Sequence, residues 1–160
     1  MDIREIKIEY HEFGAIDELL ARDRELVLEA RKAAEKAYAP YSKFQVGAAV
    51  LLANGEIITG NNQENVDFTD GLCAERVALF YAHARYPDVA VEGIAITAKN
   101  ARGVIVESAQ PCGSCRQVMV ETEFRAGKPM RIILDGATKI QVLEGADCLL
   151  PLPFRPTALG

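Results

Sequence analysis

FQVGAAVLLANGEIITGN, residues 44–61, is the stretch on which the fold turns. Two apolar, β-prone runs flank Asn54-Gly55, and that dipeptide between such runs is the strongest short-range signal of an antiparallel hairpin. Downstream, the pattern alternates. CAERVALFYAHARYP (73–87) reads as a helix closed by Pro87, VEGIAITA (91–98) as a buried strand, PCGSCRQVMVETEF (111–124) as a second helix and MRIILD (130–135) as a strand, with KIQVL (139–143) a further strand before the tail LLPLPF. Upstream, Leu19, Leu20, Leu26, Val27, Ala30, Ala34 and Ala37 recur at helical spacing from Asp17, a candidate N-cap, until Pro40 stops the pattern. A helix, a hairpin and then alternating helices and strands predict a three-layer α/β/α sandwich around a mixed sheet.

The chain has 160 residues, 49% of them hydrophobic and 26% charged, enough for one core and too short for two. No repeat or long linker divides it, so residues 1–160 read as a single domain with 1–14 as an N-terminal arm. In that arm Ile6, Ile8 and Tyr10 alternate with Lys7 and Glu9, a pattern for a short edge strand. The net charge is −5 and the basic residues are scattered, which argues against polymeric nucleic acid as a partner. MDIREIKIEYHEFG lacks the basic start and apolar stretch of a secretory leader, and no segment is long enough to span a membrane, so the expected location is the cytoplasm. There cysteines stay reduced, and the grouping of three of the four points to metal binding or catalysis.

The chemistry gathers in LCAER (72–76) and QPCGSCRQ (110–117). Cys112 and Cys115, spaced C-x-x-C at a turn entering a helix, can converge on one ion, and Cys73 starts the other helix. Three protein ligands leave one tetrahedral position for water, as in catalytic and not structural zinc sites. Helix N-termini also favour the thiolate form of such ligands. Three thiolates on Zn²⁺ leave a net negative centre, so a partner should draw charge from the sulfurs; Arg76 and Arg116 each follow a cluster residue and are candidates to hydrogen-bond a thiolate. Glu75, two residues beyond Cys73, is placed to move protons without binding the metal. Taken singly, each feature has a plainer reading. With nothing else present, a lone C-x-x-C is as readily a redox motif or half a zinc ribbon as part of a catalytic site, Glu75 reads as a solvated first-turn residue, and Cys148, in the apolar DCLLPL run, as a buried structural thiol.

The joint pattern C-A-E…P-C-G-S-C is close to the H-x-E…P-C-x-x-C signature of zinc nucleobase deaminases. Around it stand YAPYSKFQVGAAV (38–50), GNNQENVDF (60–68), CAERVALF (73–80) and LLPLPF (149–154), and together these resemble the cytidine deaminase family over roughly residues 30–154. A Cys in the first ligand position of a chain this short resembles the small homotetrameric branch. The resemblance implies a cytidine deaminase-like fold with a mixed five-stranded sheet, one Zn²⁺ per chain and a small nucleoside substrate. It also implies hydrolysis of cytidine or deoxycytidine to the uridine product and ammonia, in the service of pyrimidine salvage. By the same resemblance Glu75 is the proton shuttle, Phe44 contacts the pyrimidine, Asn62 and Glu64 grip the ribose, Ala74 touches substrate, and Phe154 reaches a neighbouring subunit's site.

One segment departs from the family. Where two small residues and a Tyr usually follow N-x-E-N, this chain has Val66-Asp67-Phe68, which removes a phenol and adds a carboxylate. Asp67 and Phe68 are candidates for specificity. FTDGLCAE (68–75) is similar to the corresponding segment of blasticidin S deaminases, so a larger or N4-substituted cytosine nucleoside is the alternative substrate. The non-enzymatic alternative is a zinc-binding structural module, and a redox dithiol is a third.

Overall fold

Side chains of the 44–61 hairpin alternate between two apolar faces, and each face recruits its own helix layer. The computed structural model describes residues 1–159 and contains six strands in one sheet: β1 (His11–Phe13), β2 (Gln45–Leu52), β3 (Ile57–Asn61), β4 (Val91–Lys99), β5 (Arg131–Leu134) and β6 (Ile140–Glu144). Their order is β1-β6-β5-β4-β2-β3. Only the β4–β5 pair is parallel. Helix α1 (Ala21–Ala34) covers one face, where Leu26, Val27 and Ala30 pack on Ala49, Ala95 and Ile133. Helices α2 (Ala74–Arg85) and α3 (Gly113–Ala126) cover the other, with Leu79, Ala82 and Met119 against Val50, Ile94 and Ile132. This is the expected three-layer sandwich.

The hairpin forms where Asn54-Gly55 places it. The Gly55 N–H donates to the Leu52 carbonyl at 2.9 Å, and Gly55 takes φ +87°, the left-handed value that a residue with a Cβ rarely adopts. Two other glycines set how closely the helices approach. A Cβ on Gly47 would lie 2.1 Å from the Ala30 carbonyl oxygen, and one on Gly60 would lie 2.6 Å from the Ala78 nitrogen and 2.7 Å from the Ala74 carbonyl oxygen. Bare backbone at Gly60 therefore lets α2 settle on β3 at the turn that carries Cys73 and Glu75.

The structure differs from the sequence expectation in strand number, in where the arm strand starts and at both ends of the first helix. The sheet has six strands and not five, because arm strand β1 adds to the edge of β6, pairing His11 with Val142 and Phe13 with Ile140. That strand also begins after Ile6, Ile8 and Tyr10. Continuing the register would set Glu9 opposite Glu144, and like charges directly opposed disfavour pairing. Third, Asp17 does not cap α1: it sits in a 3₁₀ turn, Ile16–Glu18, with its carboxylate 3.5 Å from Arg24, and the helix starts only after Leu20. The helix ends at Ala34, several residues short of Pro40.

Across the α1 face, fully buried Asp135 accepts from Arg31 Nε and Nη2 at 2.8 and 2.7 Å and from the Thr97 hydroxyl at 2.7 Å. Removing one member of such a network leaves a charge without its partner. Asp135→Ala should cost about 3 kcal/mol of unfolding free energy by denaturant titration. A loss below about 1 kcal/mol, the value of an exposed pair, would show that this network does not brace the sheet.

Candidate active site

Helix starts bring the thiols together. Cys73 is the N-cap of α2 and Cys112 the N-cap of α3, both in extended backbone conformation and neither using its side chain as a cap, while Cys115 lies in the first turn of α3. The Cys73 and Cys112 sulfurs are 3.8 Å apart, those of Cys112 and Cys115 3.5 Å, and all three lie within 4.8 Å of one another. Thiolates about 2.3 Å from one tetrahedral zinc stand about 3.8 Å apart. All three cysteines are free thiols, so donor type, number and spacing fit zinc.

The local electrostatics favour the ionised form at one sulfur. Cys73 is held down at about 5, first by the hydrogen bond from the Cys115 thiol and then by Arg76, whose Nη2 lies 3.6 Å from Cys73 Sγ. Cys115 is pushed up by that same bond and by burial, since it is the thiol that keeps its proton when Cys73 loses one. A divalent cation would draw off these protons. Arg76 is thus where the sequence suggested a charge-withdrawing partner. Arg116 is not: it donates from Nε to the Pro111 carbonyl and from Nη1 to the Leu149 carbonyl, bracing the α3 entry against the C-terminal tail.

Glu75 is 4% exposed, and burial raises its carboxyl above the usual range, with the neighbouring Cys73 charge adding to the shift. It lines a cavity of about 510 Å³ together with Phe44, Val46, Ile96, Gln110, Cys73 and Cys112. A second cavity of about 590 Å³, walled by Tyr41, Phe68 and Arg76, adjoins the first at Ser42, Asn62, Glu64 and Cys73. An apolar chamber with a few convergent polar groups beside a metal-type cluster is the form of a small-molecule site.

Asn62 and Glu64 shape that chamber by holding its wall. The Asn62 amide accepts from the Val46 N–H at 2.7 Å and donates to the Phe44 carbonyl at 2.9 Å. Glu64 accepts from the Tyr41 N–H at 2.8 Å, from the Ser42 N–H at 3.3 Å and from the Ser42 hydroxyl, the last being the main reason its carboxyl lies below the usual range. Both residues still line the cavities.

The family model for the cytidine and deoxycytidylate deaminase zinc-binding region matches residues 20–127. This chain belongs to the cytidine deaminase family. The cytidine deaminase of Mycobacterium tuberculosis is 39% identical over 131 residues, spanning 82% of this chain and 78% of the relative. That of Halalkalibacterium halodurans is 48% identical over 102 residues, 62% of this chain and 71% of the relative. The crystal structure of cytidine deaminase from Burkholderia pseudomallei superposes with a TM-score of 0.71 at 34% identity, covering 85% of this chain and all of that one. A cytidine deaminase is a zinc-dependent hydrolase, so membership favours neither the structural zinc module nor the dithiol redox protein.

Against that family background, the remaining sequence candidates fall in different places. Ala74 is fully buried in the core beneath α2, so only its backbone stands at the first turn beside the thiols. Asp67 does not line either cavity. Its Oδ1 accepts from the Thr69 hydroxyl at 2.7 Å and the Thr69 N–H at 3.1 Å, capping the 3₁₀ turn Phe68–Asp70 and holding its own carboxyl below the usual range. Phe68 does line the larger cavity, edge-on to Tyr41 with ring centroids 5.8 Å apart. Phe154 is exposed, tied through its carbonyl to Gln117 Nε2 at 2.7 Å, and lines neither cavity of its own chain. Cys148 stands apart from the cluster, half-buried beside the arm. Sequence reading passed over Tyr41, Ser42 and Gln110; the first two lie inside the YAPYS stretch and Gln110 directly precedes P-C-x-x-C, which was the available signal.

Proposed function

We propose that the chain hydrolyses cytidine and deoxycytidine to uridine and deoxyuridine with release of ammonia, using Cys73, Cys112 and Cys115 to hold one zinc and Glu75 to move protons. The observation that carries this is the burial of Glu75 in the same cavity that Cys73 and Cys112 line. Bound by these three thiolates, zinc would supply a Lewis acid that lowers the pKa of water, so that hydroxide is available as the nucleophile for pyrimidine C4 near neutral pH. Glu75 takes a proton from the attacking water, delivers one to N3 and then assists departure of the amino group. A carboxyl raised by burial gives up its proton less readily than an exposed one, which suits a group that must carry protons between water and base. Phe44, at the cavity wall, packs on the base, and Asn62 and Glu64 face the sugar. Arg76 draws charge from Cys73. The test is ammonia release from cytidine before and after chelation; release that survives complete zinc removal would sink the assignment.

The same reading covers assembly and setting. The exposed aromatics Phe80 and Tyr81 on α2, Phe124 on α3, and Phe154 in the tail support burial between copies, and the expected assembly is a homotetramer. Light scattering should give four times the 17.5 kDa chain mass. A fully active monomer would contradict it. The free cysteine cluster suits a reducing cytoplasm, and among the described residues no helix is long and apolar enough to cross a membrane. The task that fits is pyrimidine salvage. Residues 1–160 are read as one catalytic domain with 1–14 as its arm, which a single sheet supports.

Asp67 and Phe68 then separate by experiment. Because the Asp67 carboxylate is held by Thr69, Asp67→Ala should leave the ratio of rates on cytidine and cytidine monophosphate unchanged. Phe68→Tyr, which restores a hydroxyl in the cavity wall, should raise kcat/KM for cytidine by up to about tenfold, the worth of one neutral hydrogen bond. A changed ratio in the first variant would return Asp67 to the pocket.

A further inference from the structure

The arm lies outside the residues matched by the deaminase family model, which begin at residue 20, and it ends in an edge strand. β1 pairs with β6 on one side only and stands last in the sheet, so its other edge presents unpaired backbone groups. Before it, Ile3, Ile6, Ile8 and Tyr10 are all exposed, Ile6 at 57% and Tyr10 at 52%. In extended chain, Ile6, Ile8 and Tyr10 share one face, and Lys7 and Glu9 share the other with Glu5 and His11.

The charge order of this segment is self-complementary. When two copies of the arm run antiparallel with Ile8 facing Ile8 of the second copy, Lys7 faces Glu9, Ile6 faces Tyr10, Glu5 faces His11, Arg4 faces Glu12 and Ile3 faces Phe13. Every facing pair is then either apolar or opposite in charge, the Glu5–His11 pair when that imidazole is protonated, and none sets like charges against each other. The contrast with β6 is direct, since continuing that pairing beyond His11 would oppose Glu9 to Glu144. Glu12 already holds Lys139 on the β6 side at 2.7 Å and can accept from Arg4 on the other.

We propose that residues 3–13 form an antiparallel two-stranded ribbon with the same residues of a second copy of this chain, continuing the sheet from β1 of one protomer into its partner. Such strand addition satisfies the open edge with main-chain hydrogen bonds, and the alternating side chains set its register. The occupant is a second copy because the pattern is complementary to itself. The contact uses none of the residues assigned to deamination and is independent of that reading.

Cross-linking at Ile8 tests it, because Ile8 is the one position the register sets opposite itself. Cys148 lies near Ile8 and is removed as a competing thiol by Cys148→Ser. The zinc-loaded full chain carrying Ile8→Cys and Cys148→Ser should form an interchain disulfide under mild oxidation, at least about tenfold faster than the same chain with the thiol moved to Leu20, an exposed residue outside the ribbon. Adding Lys7→Glu should abolish the cross-link, since a second carboxylate would then face Glu9, and adding Glu9→Lys to a separate chain should do the same by opposing two ammonium groups. Mixing the two charge variants should restore the cross-link as a heterodimer, although neither retains the Lys7–Glu9 contact within its own arm. No cross-link at Ile8→Cys, or one that ignores the charge changes, would overturn the proposal.

Discussion

Glu75→Gln should keep its zinc and its fold while turnover of cytidine falls by about 10³- to 10⁴-fold. Gln occupies nearly the same volume in a site where Glu75 is 4% exposed, so packing around α2 is preserved. What it removes is a group able to accept and return a proton, and general acid–base catalysis by one positioned side chain is worth about 10²–10⁴-fold. The upper part of that range is expected here because the proposed mechanism gives the same carboxyl three proton movements in one turnover. Steady-state kinetics on cytidine, with zinc content and circular dichroism as controls, read the result. Turnover within about tenfold of the parent would require another base.

Replacing any one of Cys73, Cys112 and Cys115 by Ala should reduce zinc from one per chain to a small fraction of that and take deamination below detection. Two sulfurs cannot hold the ion as three do, and the sulfur separations of 3.8 and 3.5 Å put all three within reach of one ion. The variants should differ in stability. Cys115 is fully buried whereas Cys112 is exposed, so Cys115→Ala also opens a small cavity and should lower the thermal midpoint more than Cys112→Ala does. Elemental analysis beside an ammonia assay tests the set. A zinc-free variant that still deaminates cytidine would end the metal assignment.

Residues whose meaning is carried by short-range chemistry were legible in the chain itself. Asn54-Gly55 announced the hairpin because a left-handed φ at Gly55 is a local requirement. The apolar repeats announced α2, α3 and β4, and Cys73, Glu75, Cys112 and Cys115 announced the metal site because ligand spacing on helix starts is set within a few residues. Arg76 followed for the same reason, lying one turn from Cys73 on the same helix.

What the tertiary structure decided depends on partners distant in sequence. Arg116 sits beside Cys115 in the chain yet turns to the Leu149 carbonyl, whose position only the folded tail defines. Asp67 could have faced the substrate or capped a turn, and in the fold its carboxylate meets a hydroxyl two residues away. Asn62 and Glu64 read as ligand-gripping residues, but the fold also sets them to hold the 41–46 wall. The sixth strand follows the same logic: alternation in the arm permits a strand anywhere from Ile6 onward, and the fold begins pairing at His11, short of the place where Glu9 would oppose Glu144. Local spacing determined the chemistry that this chain can perform, and long-range packing determined which neighbouring side chains shape it, because a side chain's hydrogen-bond partners are selected in space and not along the sequence.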